Sequence, residues 1–183
     1  MKFYFFVLLR IWKYKILSNC KICIGKPIIY HPIQMVGKGS ISFGNNVQFG
    51  VVNSPNYYSH YTYLEVRNSE SKIIIGDNVS INNAFSAVAF NRITIQNNVL
   101  IGVNCSMIDN DGHSLEIDKR NDGIPLKAAI FVEENVFLGD NVTILKGVTI
   151  GKNSIIGNGS IVTKNIPENS IAAGNPARVI RNI

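Results

Sequence analysis

From residue 132 the chain falls into consecutive sixes: VEENVF, LGDNVT, ILKGVT, IGKNSI, IGNGSI and VTKNIP. An aliphatic residue opens each of them, in Val132, Leu138, Ile144, Ile150, Ile156 and Val162. The fifth position reads Val136, Val142, Val148, Ser154, Ser160 and Ile166, and glycine recurs at the second in Gly139, Gly151 and Gly157. Six residues are too few for a strand plus a helix, but they suit a short strand plus a turn. Because six is three strand steps of two, the opening residue keeps returning to the same orientation. Asn and Gly supply the positive-φ positions that such turns need. Stacked coil on coil, the aliphatic position becomes a continuous ladder, and the sequence predicts an all-β chain wound as a parallel β-helix. A β-sandwich fits poorly, since it alternates and spaces its strands at about 8–12 residues.

The same hexads recur upstream with breaks in phase: FGNNVQ from Phe43, IGDNVS from Ile75, IQNNVL from Ile95 and IGVNCS from Ile101. The steps from 75 to 95 and from 107 to 132 are not multiples of six. Residues at about 51–72, 84–93 and 109–130 are therefore expected to leave the coil as loops or bends. At 183 residues the chain makes one domain, read as an amphipathic or capping segment at 1–30 and the repeat domain at 31–183, with 109–130 as a protruding loop.

Charged residues make up 16% and hydrophobic ones 46% of the chain, which excludes a disordered polypeptide. The net charge of +6 is local: residues 1–64 carry seven Lys or Arg and no acid, because Glu65 is the first. Basic residues are not spread over a groove-facing element, so nucleic acid is not an expected partner. Residues 3–9, FYFFVLL, end at Arg10 and are followed by Lys13 and Lys15. The run is short of the roughly 20 residues a membrane span requires, and no small-residue cleavage site follows it. On a helical wheel Lys2, Arg10 and Lys13 share one side. Two readings stay open for residues 1–17: a helix that covers the open end of the fold, or a peripheral foot drawn to anionic lipid. Three cysteines make no disulfide scaffold and suit a reducing compartment. Cys20 and Cys23 form a lone C-x-x-C without the further ligands of a zinc site, and Cys105, inside a repeat, reads as packing.

The block IVTKNIP followed by AAGNPARVI, within residues 144–183, resembles the C-terminal signature of the hexapeptide-repeat acyltransferases. The chain is most similar to their sugar O-acetyltransferase branch, which includes galactoside, maltose and surface-polysaccharide acetyltransferases. The resemblance runs from about Ile75 to Ile183, with weaker repeats back to about residue 36. It implies a left-handed β-helix, a homotrimer with sites between neighbouring subunits, and acetyl-CoA as cosubstrate. It also implies no metal, since His31, His60 and His113 do not match the ligand spacing of the related β-helical carbonic anhydrases.

His113 lies in the polar stretch IDNDGHSLE, among acids rather than aliphatics. The resemblance puts it where the family keeps its catalytic histidine. A neutral imidazole can take the proton of an attacking sugar hydroxyl and return it to the departing thiolate. A carboxylate or carbonyl must hold the other ring nitrogen, and Asp109 and Asp111 are the candidates. The resemblance assigns Asn83, in INNAFS, to acceptor binding. To the coenzyme it assigns Asp140, Asn158, Thr163, Lys164, Arg178 and Arg181, of which the three cations suit phosphates. Asp140 and Asn158 stand where the family commonly has serine and alanine, and Phe137 replaces a frequent tryptophan. Residues 1–30 have no counterpart in the galactoside and maltose enzymes, and NSPNYYSHYTYL at 53–64 matches no family motif. The departure at residues 1–30 points away from a small free sugar, whereas the tyrosines of 53–64 suit either stacking on a sugar or covering an edge. The expected activity is O-acetylation of a surface polysaccharide or its precursor, in the cytoplasm or at the inner membrane face. N-acetylation of a nucleotide-linked amino sugar is the alternative, acylation of serine or a xenobiotic stands below it, and a non-enzymatic scaffold is the alternative of another class.

Overall fold

The computed structural model describes residues 2–183, with side chains from Phe5 onward. One 16-residue helix, α1 (Lys2–Leu17), precedes twenty short strands that coil into three sheets. Sheet A contains Ile22–Ile24, Ser40–Phe43, Lys72–Ile75, Arg92–Ile95, Ile130–Val132 and Thr149–Ile150. Sheets B and C take the following strands in turn, so the chain visits A, B and C once per coil. Pairing between the strands is parallel except at the end, where Ser170–Gly174 and Ala177–Asn182 close sheet B as an antiparallel hairpin, and a lone antiparallel bridge joins Asn110 and Lys127.

The hexad positions explain the register. In the uninterrupted stretch Val132 pairs with Ile150, Leu138 with Ile156 and Ile144 with Val162, so a full coil is three hexads. All six opening residues are fully buried, and the fifth-position residues are buried beside them. Longer stacks run through the whole molecule, as in Ile41, Ile73, Ile93 and Ile130 of sheet A. Each fully buried aliphatic contributes about 1.5–3 kcal/mol, so the ladder is the main source of cohesion. Ser154 and Ser160 enter it at no polar cost, because their hydroxyls donate to Pro167 O at 2.7 Å and Gly157 O at 2.6 Å.

The corners are made by asparagine. Asn46, Asn78 and Asn98 sit at φ +55 to +60°, and each side-chain amide hydrogen-bonds the next across coils, at 3.1 and 3.3 Å. Asn135, Asn153 and Asn169 repeat the device at 3.0 and 2.8 Å. Asparagine tolerates this left-handed backbone and also satisfies its neighbour.

Coil lengths locate the excursions. Pairing of Phe43 with Ile75, Ile75 with Ile95 and Ile95 with Val132 shows that one coil is much longer than three hexads, the next barely longer, and the third longest. The first excess divides between residues 50–61, at the edge joining sheets B and C, and residues 67–71, at the edge joining C and A. The expected bulge at 84–93 is a correction: Ser86–Ala89 is a regular strand of sheet C, and only Phe90 and Asn91 separate it from sheet A. Likewise Thr62–Val66 is a strand inside the stretch expected to be loop. The long excursion occupies 109–129. The first strand begins at Ile22, so a complete coil precedes residue 38.

The α1 helix also departs from its wheel. Val7 is fully buried, and Arg10 and Tyr14 turn towards the coil, whereas Lys13 faces outward. Arg10 and Lys13 therefore do not share a basic face, and the side chain of Lys2 lies outside the described residues.

Candidate active site

The excursion 109–129 leaves sheet C after Ser106–Ile108 and is fastened at its base. Asp109 is fully buried; its Oδ1 accepts from Phe90 N–H and its Oδ2 from Asn91 N–H, both at 2.7 Å. Asp111 N–H donates to Leu126 O, and its carboxylate pairs with Lys146 Nζ at 2.6 Å. The returning strand is held by Ala128 N–H on Asp109 O at 2.9 Å. His113 stands exposed on the loop so anchored, with Nδ1 3.1 Å from Arg120 O. A carbonyl oxygen only accepts, so the contact favours the hydrogen on Nδ1 and leaves Nε2 as the acceptor nitrogen. The group that holds His113 is thus a backbone carbonyl, and neither Asp109 nor Asp111 reaches it. Both acids are engaged by bare amides of the adjacent coil and by an ammonium, stronger partners for a carboxylate than a neutral ring.

Asn83 sits at the B–C edge and is fully buried. Its Nδ2 donates to Val51 O at 3.1 Å and Pro55 O at 2.9 Å, with Ser54 O at 3.4 Å, and its Oδ1 accepts from Val51 N–H at 3.1 Å. Every polar group of this side chain is spent on the base of loop 50–61. Here Asn83 builds the wall beside the cleft by fastening loop 50–61.

The neighbouring corners hold Asp140 and Asn158. Asp140 Oδ1 accepts from Val103 N–H at 2.8 Å, and Asn158 Oδ1 accepts from Asp140 N–H at 3.0 Å. These side chains stitch coil to coil. A cleft of about 330 Å³ opens here, lined by Val51, Asn82, Gly102, Phe137 and Asp140 among others. Thr163 and Lys164 follow the last strand of sheet C and are exposed at its far end. Arg178 and Arg181 project from the terminal hairpin, where each guanidinium meets only a nearby main-chain oxygen, Ala177 O and Asn182 O. Among the described residues Lys164, Arg178 and Arg181 have no acidic partner, which leaves three cations free for phosphate.

Asn83, Asp140 and Asn158 therefore lie along the B–C edge, while His113, Thr163 and Lys164 lie along the C–A edge. The strands of sheet C separate them by roughly 10 Å or more, at about 3.3 Å per residue. One chain does not bring the expected site residues together.

Sequence reasoning overlooked the clamp on loop 50–61. His31 is fully buried, and its Nε2 lies 3.1 Å from both Asn56 O and Ser59 O. Burial lowers its pKa, with Arg10 and His60 adding to the effect against the two carbonyls. Arg10 reaches in from α1 to Tyr57 O at 3.2 Å and to His60 O, and Tyr14 stacks on Tyr61 at 4.3 Å. The available signal was the density of Asn and Tyr in NSPNYYSHYTYL; Asn53, Asn56 and His60 all adopt positive φ. Elsewhere, burial and the adjacent Cys20 push the Cys23 thiol up to about 12. Burial drives Cys105, inside the core, to about 11. Among the described residues no three His, Cys, Asp or Glu are grouped to hold a metal.

Residues 129–164 match the family model described as bacterial transferase hexapeptide, six repeats. The galactoside O-acetyltransferase of Escherichia coli is 37% identical over 167 residues, which cover 87% of this chain and 77% of that enzyme. The chain belongs to the hexapeptide-repeat acetyltransferases. Its β-helix is of their left-handed kind. A solved galactoside acetyltransferase in complex with coenzyme A is 44% identical, with a TM-score of 0.57 over 61% of this chain and 55% of that one. A polySia-specific acetyltransferase is 29% identical, with a TM-score of 0.60 over 90% and 69%. Two fungal relatives, from Saccharomyces cerevisiae and Schizosaccharomyces pombe, are matched over 57% and 44% of their own lengths, so the chain spans about half of each.

Proposed function

We propose that the protein transfers acetyl from acetyl-CoA to a saccharide hydroxyl, in the cytoplasm, with His113 as general base. The supporting observation is the contact of His113 Nδ1 with Arg120 O at 3.1 Å on an anchored loop; a carbonyl accepts, so this contact favours the Nδ1–H form with Nε2 as the acceptor. His113 Nε2 takes the hydroxyl proton as the oxygen attacks the thioester carbonyl. The tetrahedral intermediate collapses with loss of the C–S bond, and the imidazolium returns the proton to the thiolate. Lys164, Arg178 and Arg181 supply charge for the coenzyme phosphates.

The division of these groups between two edges supports a homotrimer, in which the His113 loop of one copy faces the B–C corner of another. The acceptor of the E. coli relative is a galactoside by its name, and that of the solved polySia-specific enzyme a sialic acid polymer. A saccharide acceptor for this chain is inferred from them. The test is coenzyme A release with panels of saccharides and amino sugars. His113→Ala is expected to lower turnover roughly 10²–10⁴-fold while leaving coenzyme A affinity nearly unchanged. A variant that keeps more than about a tenth of the rate, outside the general-base range, rules out His113. Turnover with amines alone rules out the hydroxyl acceptor.

A further inference from the structure

Helices at the surface of a globular domain bury their apolar stripe and expose their polar one. In α1 the outer side is apolar as well, while the inner side mixes Val7 and Ile11 with polar groups. Its inner side carries Val7, Arg10 and Tyr14, and Ser18 just beyond continues the polar line by accepting from Met35 N–H at 2.9 Å. The guanidinium of Arg10 on two carbonyls of loop 50–61 and the Tyr14–Tyr61 stack hold that side down. Its outer side carries Phe5, Leu9, Trp12 and Ile16, exposed by 58, 47, 64 and 61%. Their spacing of four, three and four residues forms one continuous stripe along the helix. Exposed Leu8 and Phe6 widen it. At about 100° per residue, Lys15 lies on one flank and Lys13 on the other.

We infer that this outer face of α1 binds an anionic lipid surface. A capping helix would turn these apolar residues inward, and the structure turns them out. A contiguous exposed apolar patch bordered by cations marks an interaction surface, and its charge selects the partner. Lys21 and Lys38 add positive charge at the corner of the first coil, near Asn19 just past the end of α1, and neither has an acidic partner among the described residues. A symmetric pair of α1 helices would oppose these like-charged flanks, whereas a bilayer with acidic headgroups neutralises them. At 16 residues α1 is too short and too charged to cross a membrane, so it lies in the interface plane.

The geometry also connects this surface to the acceptor. The clamp from α1 grips loop 50–61, and Val51 of that loop lines the cleft beside Phe137 and Asp140. A docked helix brings that wall to the headgroups, where a lipid-carried saccharide would present its sugar. The acceptor part of this inference rests on the acetyltransferase reading; the surface binding does not.

Trp12 is the only tryptophan, so the native full-length chain reports its own docking. The experiment titrates the protein with vesicles of phosphatidylcholine alone or mixed with phosphatidylglycerol, at low and high salt, following Trp12 emission and flotation. Anionic vesicles at low salt should shift Trp12 emission to the blue and float the protein, and high salt should reverse both. Lys13→Gln with Lys15→Gln should weaken binding roughly 30-fold. Leu9→Glu should abolish it, with melting temperature and coenzyme A release on a soluble acceptor unchanged. Failure to bind anionic vesicles at low salt overturns the proposal, as does equal, salt-insensitive binding to neutral ones. A blue shift that instead follows protein concentration without vesicles overturns it in favour of a second copy. Loss of acetyl transfer with vesicle binding intact would overturn the activity alone.

Discussion

At the scale of single residues, the polar side chains in the coil hold backbone in place. Asn83 closes four contacts on loop 50–61, Asp109 takes two amides of the adjacent coil, and His31 donates to two loop carbonyls from full burial. The last has a consequence for pH. Burial, the largest influence, holds the His31 pKa below its ordinary 6.5, so the folded protein keeps the ring neutral while the unfolded chain takes up a proton near that value. The unfolded state then binds more protons on acidification. Stability should be flat above about pH 6.5 and should fall below it until the folded ring also titrates. His31→Gln can still donate to the carbonyls but does not titrate. Melting temperatures followed down to about pH 5 should decline for the wild type and much less for the variant. Parallel decline in both would assign the acid sensitivity to other groups. None of these roles was legible in sequence. Asn83 could be singled out within INNAFS and Asp109 within IDNDGH, but a side chain that binds a ligand and one that binds its own backbone have the same one-letter code.

At the scale of elements, the sequence was informative wherever a period was present and uninformative where it stopped. The hexads from Val132 to Pro167 gave both the strand positions and the inward residues, because burial and period are the same constraint in a β-helix. Breaks in phase marked the excursions at 50–61 and 109–129, but they overestimated the one near 84–93, since two extra residues at a corner shift the phase as effectively as a loop. Helix α1 was recognisable as a helix and misoriented as an amphipathic one, because a carbonyl-rich loop draws Arg10 to the inner side beside Val7. The excursion 109–129 follows the same logic: its position depends on its base. Asp109→Ala would take the shared acceptor from the amides of Phe90 and Asn91 at a half-exposed corner, at a cost of about 1 kcal/mol or more. As a positioning residue it should lower turnover through the placement of His113, with little change in the apparent constant for acetyl-CoA. Asp109→Asn, which keeps one acceptor, should recover part of the rate. A loss confined to the acetyl-CoA constant would mean that the loop base serves the coenzyme instead.

At the scale of the whole molecule, the separation of functional groups by sheet C determines how activity can be assembled. His113 belongs to the C–A edge, and the wall built by Asn83 and the Asp140 corner belongs to the B–C edge. If a working site takes its histidine from one copy and its wall from the next, two defects on different chains can compensate each other. His113→Ala lacks the base but has an intact wall; Asn83→Ala keeps the base over a wall whose Val51, Ser54 and Pro55 contacts are lost. Each variant alone should be nearly inactive. Unfolded together in equal amounts and refolded, they should recover about one quarter of the wild-type rate, the chance that a given interface receives both intact halves. Mixing the folded variants without refolding should recover nothing, which separates subunit exchange from a trivial additive effect. If the co-refolded mixture is no more active than the mean of the two variants, although sedimentation shows that mixed trimers form, the site lies within one chain. The His113 loop would then have to fold back across sheet C to reach the cleft.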